Sequence, residues 1–182
     1  MNRPDDWIIG TESEVFSRSI SNPKDSYNPD TYEGQYWYTA DGDNGGVHTN
    51  SGVFAHIFHM LSVGKSGEND HRNLYTVQAL GNEKTGKIMY RALDSYLTPN
   101  SEYDDAREAM IQSASDLYGS NSHEKEQVMS AFYAGGVGCL KGQSKSLFSN
   151  RCVPFGLNNL AIAGLIVIGV GAGIAVYQIY YA

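Results

Sequence analysis

The sequence lacks a surplus of basic charge, an apolar leader and a zinc-hydrolase motif. It has 13 Lys and Arg against 20 Asp and Glu, and no basic stripe alternates with aromatic residues, which excludes nucleic acid as a partner. The first residues are polar and no apolar stretch follows them, so no secretory signal is predicted. No HExxH motif occurs, since 71–75 and 123–127 both lack the second histidine. The chain alone is therefore not expected to be a zinc hydrolase.

A turn-rich segment, DGDNGGVHTNSG at 41–52, carries the candidate chemistry. Its glycines permit positive φ and a sharp bend around a ligand. Asp43 lies five residues before His48, close enough on a folded-back loop to accept a hydrogen bond from the imidazole. Such a contact fixes the tautomer and favours the protonated ring. The alternative from residue types alone is a surface turn with an idle histidine.

Four stretches of the chain resemble the thermolysin-like neutral metallopeptidases. DNGGVHTNSG, followed by an apolar helix, is similar to the active-site histidine motif of that family. Residues 81–138 resemble its helical C-terminal domain, and DDWIIGTE and SRSISNP resemble the segment that leads into that domain. The resemblance covers about residues 4–138 and implies an endopeptidase that cleaves peptide bonds with a bulky apolar residue on the P1′ side.

The resemblance also implies roles for individual residues. His48 would donate a hydrogen bond to the tetrahedral oxyanion, and Asp43 would orient it. Arg18 would hold the substrate carbonyl and shape the S1′ pocket, Ile9 would form an apolar wall of that pocket, and Asn44 would contact the substrate.

In the family, zinc is held by an HExxH helix and a glutamate from the next helix, and both precede the segment that begins here. Zinc is therefore expected only in a full-length parent or with a separate N-terminal half, in cis or in trans, and the chain is expected to be inactive alone. The missing zinc helix and leader suggest that Met1 is not the original start. Asp6 matches one calcium ligand of the family, but Ile8 and Thr11 replace acidic ones, so calcium binding is not expected to be complete.

Apolar periodicity predicts a mainly α fold of four to five helices after a loop-rich start. The predicted helices are about 50–63 with Ser51 as N-cap, 83–97, 102–118 and 122–134 with Ser122 as N-cap. Residues 66–81 are ambiguous between a strand and a buried turn. His56 and His59 have a spacing that can bind a metal, but without a nearby third ligand they are interpreted as packing histidines.

Four regions follow from these patterns: 1–47, a loop-rich lead-in with the active-site loop; 48–138, the helical domain; 139–159, a linker; and 160–182, a transmembrane helix. The last region has no charged residue and is long enough to cross a bilayer of ~30 Å.

This segment predicts a single-pass C-terminal membrane anchor. The body would be extracellular if the parent has a signal peptide, and cytosolic and tail-anchored otherwise. Cys139 and Cys152 would pair in an exported protein and stay free, or carry palmitate, in a cytosolic one. The functional alternative is a complete, non-catalytic, membrane-anchored binding or structural domain.

Overall fold

Four α-helices form the centre of the molecule. A computed structural model describes residues 7–10, 18–146 and 149–154, together with the backbone of 166–170 and 173–177. The helices, in chain order, are α1 (Asp43–Val63), α2 (Asn82–Ser95), α3 (Tyr103–Tyr118) and α4 (His123–Ala134). A 3₁₀ turn, Pro23–Ser26, precedes them in the loop-rich lead-in.

The helices enclose one hydrophobic core. Helix α3 packs against both α2 and α4, and α1 contacts α2 and α4 from the other side. Each helix contributes a fully buried side chain, among them Ile57 from α1, Ile88 from α2, Met110 from α3 and Phe132 from α4. Burial of such side chains supplies the main driving force for folding, so these residues form the centre of the core.

Short antiparallel strand pairs accompany the helices. They are β1 (Ile8–Ile9) with β2 (Arg18–Ser19), β3 (Lys65–Glu68) with β4 (Leu74–Val77), β5 (Gln143–Lys145) with β6 (Cys152–Pro154), and β7 (Ile166–Val170) with β8 (Gly173–Tyr177). The ambiguous stretch 66–81 therefore contains most of the β3–β4 hairpin. The first hairpin matters most for the site, because it pairs Ile9 with Arg18.

Two observed helix ends agree with the predicted ones, and both have a capping residue of the usual type. Ser122 is the N-cap of α4, and its hydroxyl accepts a hydrogen bond from the Lys125 amide at 3.2 Å. Gly64 ends α1 with φ 78°. The predicted start of α1 is wrong, because the helical hydrogen-bonding pattern begins at Asp43 and Ser51 lies inside the helix.

The predicted transmembrane helix is wrong, and with it the fold class as stated and the membrane-anchored localisation. The described backbone of this region is the β7–β8 hairpin, and no helix in the part of the chain that the structure describes is long and apolar enough to cross a bilayer. The rest of 160–182 lies outside the described residues. Isoleucine and valine make up four of the five residues of β7 and two of the five of β8. Such β-branched residues favour strands, while glycine is a poor helix former.

The predicted mainly α domain fits in part, because short hairpins accompany the four helices in the part of the chain that the structure describes. The open question of the two cysteines has a definite answer in the structure. Cys139 and Cys152 form a disulfide with their Cα atoms 5.6 Å apart. The bridge ties the residue that follows the helical domain to the start of β6.

Candidate active site

Asp43 and His48 lie together at the start of α1. Asp43, Asn44, Gly45 and Gly46 all have positive φ, from 49° to 84°, so the chain turns tightly before the regular helix begins. This turn brings one oxygen of the Asp43 carboxylate against Nδ1 of His48. The other oxygen accepts hydrogen bonds from the backbone amides of His48 at 3.0 Å and Thr49 at 3.4 Å.

The carboxylate therefore acts both as a helix cap and as the partner of the imidazole. Helix N-termini leave their first amides without intrahelical acceptors, and a carboxylate there is stabilising. The hydrogen bond from His48, followed by those from the two amides, holds the pKa of Asp43 below its usual value. Because Nδ1 faces the carboxylate, Nε2 is the ring nitrogen available to a ligand, and the His48 side chain is 79% exposed.

Asn50 holds the loop from the other side. Its buried side-chain amide accepts a hydrogen bond from the Tyr38 amide at 2.8 Å and donates to the Tyr38 carbonyl at 3.1 Å. The same nitrogen lies 3.3 Å from the Gly45 carbonyl. Gly46 fits closely in this arrangement, since a Cβ there would meet Asn50 Nδ2 at 2.7 Å and the Tyr38 ring at 2.9 Å. The glycine is thus required by close approach as well as by φ.

Arg18 is joined to the same loop through Ser51. Its Nη1 donates to Ser51 Oγ at 2.8 Å, and Ser51 Oγ donates to the His48 carbonyl at 2.7 Å. Ile9 lies opposite Arg18 in the first hairpin and is 55% exposed. The structure thus brings Arg18, Ile9 and His48 into one neighbourhood by contacts from separate segments.

Of the remaining predicted site residues, the structure describes Asn44 but not Asp6. Asn44 is exposed at the tip of the turn, with φ 49°. Asp6 and Thr11 lie outside the described residues. Sequence reasoning missed Asn50 and the linking role of Ser51, because their partners are 12 and 33 residues away. The turn-rich composition of 41–52 and the family motif both pointed to this stretch, but not to these two contacts.

Comparison with known proteins decides the family. Residues 1–137 match the model of the thermolysin metallopeptidase alpha-helical domain. The chain belongs to this thermolysin family.

Individual relatives agree. The chain is 42% identical over 144 residues to the thermostable neutral protease NprT of Geobacillus stearothermophilus, which covers 75% of this chain and 25% of that protein. It is 38% identical over 144 residues to bacillolysin of Bacillus cereus, covering 75% of this chain and 24% of that protein. It is also 43% identical to neutral protease NprE of Bacillus pumilus over 129 residues, and this match covers 68% of this chain and 38% of that protein. The chain thus spans about a quarter of the length of its first thermolysin-family relatives.

Zinc does not fit the residues that this thermolysin-family domain presents. Within 7–10, 18–146 and 149–154, no three His, Cys, Asp or Glu side chains come together in a way that could hold a metal ion. His48 is bonded to a single carboxylate, that of Asp43. No catalytic step through a metal is therefore derived from these residues.

The two other histidines of α1 have packing contacts. His56 is 3% exposed, and its Nδ1 lies 3.0 Å from the Ile20 carbonyl while Nε2 lies 3.1 Å from the Lys65 ammonium. Burial, together with the nearby Lys65 charge, lowers the pKa of His56 to about 4. His59 stacks on His56 and meets the edge of Trp7. These thermolysin-family histidines are thus part of the interior rather than of the active-site loop.

Proposed function

We propose that this chain is the C-terminal half of a zinc-dependent metalloendopeptidase, and that it supplies the group that stabilises the oxyanion. The observation that supports this most is the Asp43–His48 pair on a sharply turned loop, with the imidazole 79% exposed. An idle surface histidine needs neither an orienting carboxylate nor a loop fixed by Asn50. Membership of the thermolysin family gives this geometry its chemical meaning.

In this proposal His48 acts through its Nε2–H. Attack of water on a peptide carbonyl places negative charge on the carbonyl oxygen, and a donor aimed at that oxygen stabilises the transition state more than the substrate. The Asp43 carboxylate accepts from Nδ1–H and orients the ring, so Nε2 faces outward and donates when the ring carries both protons. Asp43 is thus a positioning residue and His48 the catalytic one.

Arg18, Ile9 and Asn44 are proposed to bind the substrate. The guanidinium of Arg18 would donate to a substrate carbonyl, because a planar group with five donors suits bidentate recognition. Ser51 already fixes this guanidinium relative to the His48 carbonyl. The exposed Ile9 side chain, opposite Arg18 in the hairpin, offers an apolar surface for a bulky P1′ residue, and Asn44 presents an exposed amide beside the loop.

The zinc ion and the base that activates water are proposed to come from an N-terminal half, either in cis or in trans. In that arrangement residues 1–47 carry the lead-in and the active-site turn, and 48–138 form the helical domain. The substrates are peptides and proteins. The chain by itself is expected to have no peptidase activity, since zinc hydrolysis requires a metal-activated water.

The test is His48→Ala in the peptidase reconstituted with its zinc half. We expect kcat to fall by roughly 10²-fold or more, with zinc content unchanged, because the lost donor acts on the oxyanion and not on the metal. His123→Ala is the matched control, since His123 is an exposed histidine at the start of α4. An unchanged kcat in His48→Ala would remove His48 from the mechanism.

A further inference from the structure

A cavity of about 570 Å³ lies beside the active-site loop. One wall is the backbone of Gly45, Gly46 and Val47, just before His48, and Ser51 and Asn50 border it one helical turn later. The opposite side comes from the lead-in segment and from the start of α3. Of the residues assigned above to catalysis or substrate binding, none lines this cavity, so it is a separate feature.

Four of the ten residues that line the cavity are aromatic. Tyr32, Trp37, Phe54 and Tyr103 all line it. The centroids of Tyr32 and Trp37 are 4.7 Å apart, those of Tyr32 and Tyr103 5.2 Å, and those of Trp37 and Tyr103 5.8 Å. Tyr103 is locked, because its hydroxyl donates to the Asn50 carbonyl at 2.8 Å. The wall is therefore a rigid cluster rather than a set of mobile side chains.

Carboxylates surround this aromatic cluster. Glu102 lines the cavity and is exposed. The pKa of Tyr32 is raised, first by burial and then by the negative charges of Glu33, Asp104 and Glu102. Because three carboxylates act on a ring of the wall, the potential at the cavity favours a positively charged occupant.

The helix N-termini at the cavity do not need an anionic ligand. In α1 the amides of His48 and Thr49, just after the residues of positive φ, are bonded to the Asp43 carboxylate. At α3, Glu102 and Asp105 form a reciprocal capping box. With both ends already satisfied by carboxylates, the partial positive charge of the helix dipoles is compensated before any ligand arrives.

One ring of the wall already accepts a cation from this chain. The ammonium of Lys145, on β5, lies 5.9 Å from the centroid of Tyr32. Lys145 itself does not line the cavity. The faces of tyrosine and tryptophan attract ammonium and guanidinium groups within about 6 Å. An apolar occupant would instead bury the rim carboxylate without a partner, which is unfavourable.

We propose that this cavity binds the basic side chain, arginine or lysine, of a peptide. The aromatic wall would take the aliphatic stem and the cationic group, and Glu102 would pair with the charge at the rim. Its place beside the loop makes the peptide a substrate, and that identification rests on the proposed function. Binding of the basic side chain does not rest on the proposed function, and it can be tested on this chain without a zinc half.

The experiment measures peptide binding to the full chain. Trp7→Phe leaves Trp37 as the single tryptophan of the two in the sequence, so its fluorescence reports on the cavity. The probes are acetyl-Gly-Arg-Gly-amide, its citrulline counterpart, which has the same shape without the charge, and its leucine counterpart. Calorimetry on the wild-type chain gives the same comparison if Trp7→Phe does not fold.

We expect the arginine peptide to bind roughly 10-fold more tightly than the citrulline peptide, because the charge interacts with both rings and carboxylates. Glu102→Gln should weaken the arginine peptide by about 3-fold, as expected for a partly exposed ion pair. Asp94→Asn, which removes an exposed carboxylate on α2, should leave it unchanged.

Equal affinity for arginine and citrulline, or tighter binding of leucine, would overturn the proposal. So would equal losses in Glu102→Gln and Asp94→Asn, because they would reflect net charge alone. Failure here would leave the His48→Ala experiment unaffected, since that one measures kcat. Conversely, selective arginine binding with an unchanged kcat in His48→Ala would reject the proposed catalytic function and keep the binding site.

Discussion

Replacing Asn50 by aspartate tests whether this side chain holds the active-site loop. The substitution keeps the oxygen that accepts from the Tyr38 amide at 2.8 Å. It replaces the nitrogen, which lies 3.1 Å from the Tyr38 carbonyl and 3.3 Å from the Gly45 carbonyl, by a second carboxylate oxygen. Two hydrogen bonds are thereby lost, and a buried negative charge meets two carbonyl oxygens.

The expected loss is about 3 kcal/mol in the free energy of unfolding at pH 7, from roughly 1 kcal/mol for each lost bond and a similar amount for the buried charge. The new carboxyl has a raised pKa in the folded state, so the folded chain binds its proton more readily than the unfolded chain. The deficit should therefore be greatest above that raised pKa and shrink as the pH falls toward 4.

The assay is urea unfolding followed by tryptophan fluorescence at pH 7 and pH 5, with amide hydrogen exchange at 43–48. We expect faster exchange in that turn, because its Gly45 anchor is gone. Asn100→Asp is the control, an exposed position where a change within about 0.5 kcal/mol is expected. If Asn50→Asp cost no more than this control, Asn50 would not hold the loop.

Two other perturbations probe the interior and the disulfide. The pKa of His56 is about 4 in the fold against about 6.5 unfolded. Above pH 6.5 the ring is neutral in both states and does not reduce the stability of the fold. As the pH falls from 6.5 to 4, about 3 kcal/mol of the free energy of unfolding is lost. Because Lys65, Asp30 and His59 face this ring, His56→Gln should flatten that stretch of the stability–pH curve, and an unaltered curve would assign the loss to other groups. Reducing the Cys139–Cys152 bridge, whose partners are 13 residues apart, should cost about 3 kcal/mol and lower Tm, whereas an equal Tm with and without dithiothreitol would show that the bridge does not stabilise the fold.

The helices that the sequence predicts well are those with ordinary ends. Helix α4 begins after Ser122 and α3 stops at Gly119, as their residue types indicate. The start of α1 is different, because its cap comes from the first residue of the turn. Asp43 reaches over three residues of positive φ to bond the amides of His48 and Thr49, and no periodicity of apolar residues reports such a turn.

The prediction for the C-terminal region was wrong for another reason. Hydropathy predicts a membrane helix for the charge-free run after residue 160, because it measures apolar content over a window and not backbone conformation. The described part is a pair of antiparallel strands, in which Val170 pairs with Gly173. Glycine and β-branched residues in the same run fit this shape better than a helix.

At the candidate site, the Asp43–His48 contact could be predicted because the two residues are close in sequence, and the structure contains it. The contacts that fix its surroundings could not. Arg18 reaches Ser51 from a separate hairpin, and Tyr38 meets Asn50 from the lead-in. Such long-range pairs depend on the whole fold and leave no local pattern, so only the family motif pointed to this neighbourhood.

These contacts also indicate where the geometry of the site originates. The turn is held on one side by Asn50, which bridges the Tyr38 and Gly45 backbone. On the other side Ser51 bonds the His48 carbonyl while it accepts from Arg18. All of these groups belong to this chain, so the structure positions the Asp43–His48 pair without a residue from another chain. A preorganised donor requires little reorganisation when charge develops on the substrate. In the proposed peptidase, the placement of His48 would therefore come from this chain rather than from a contact with the proposed zinc half.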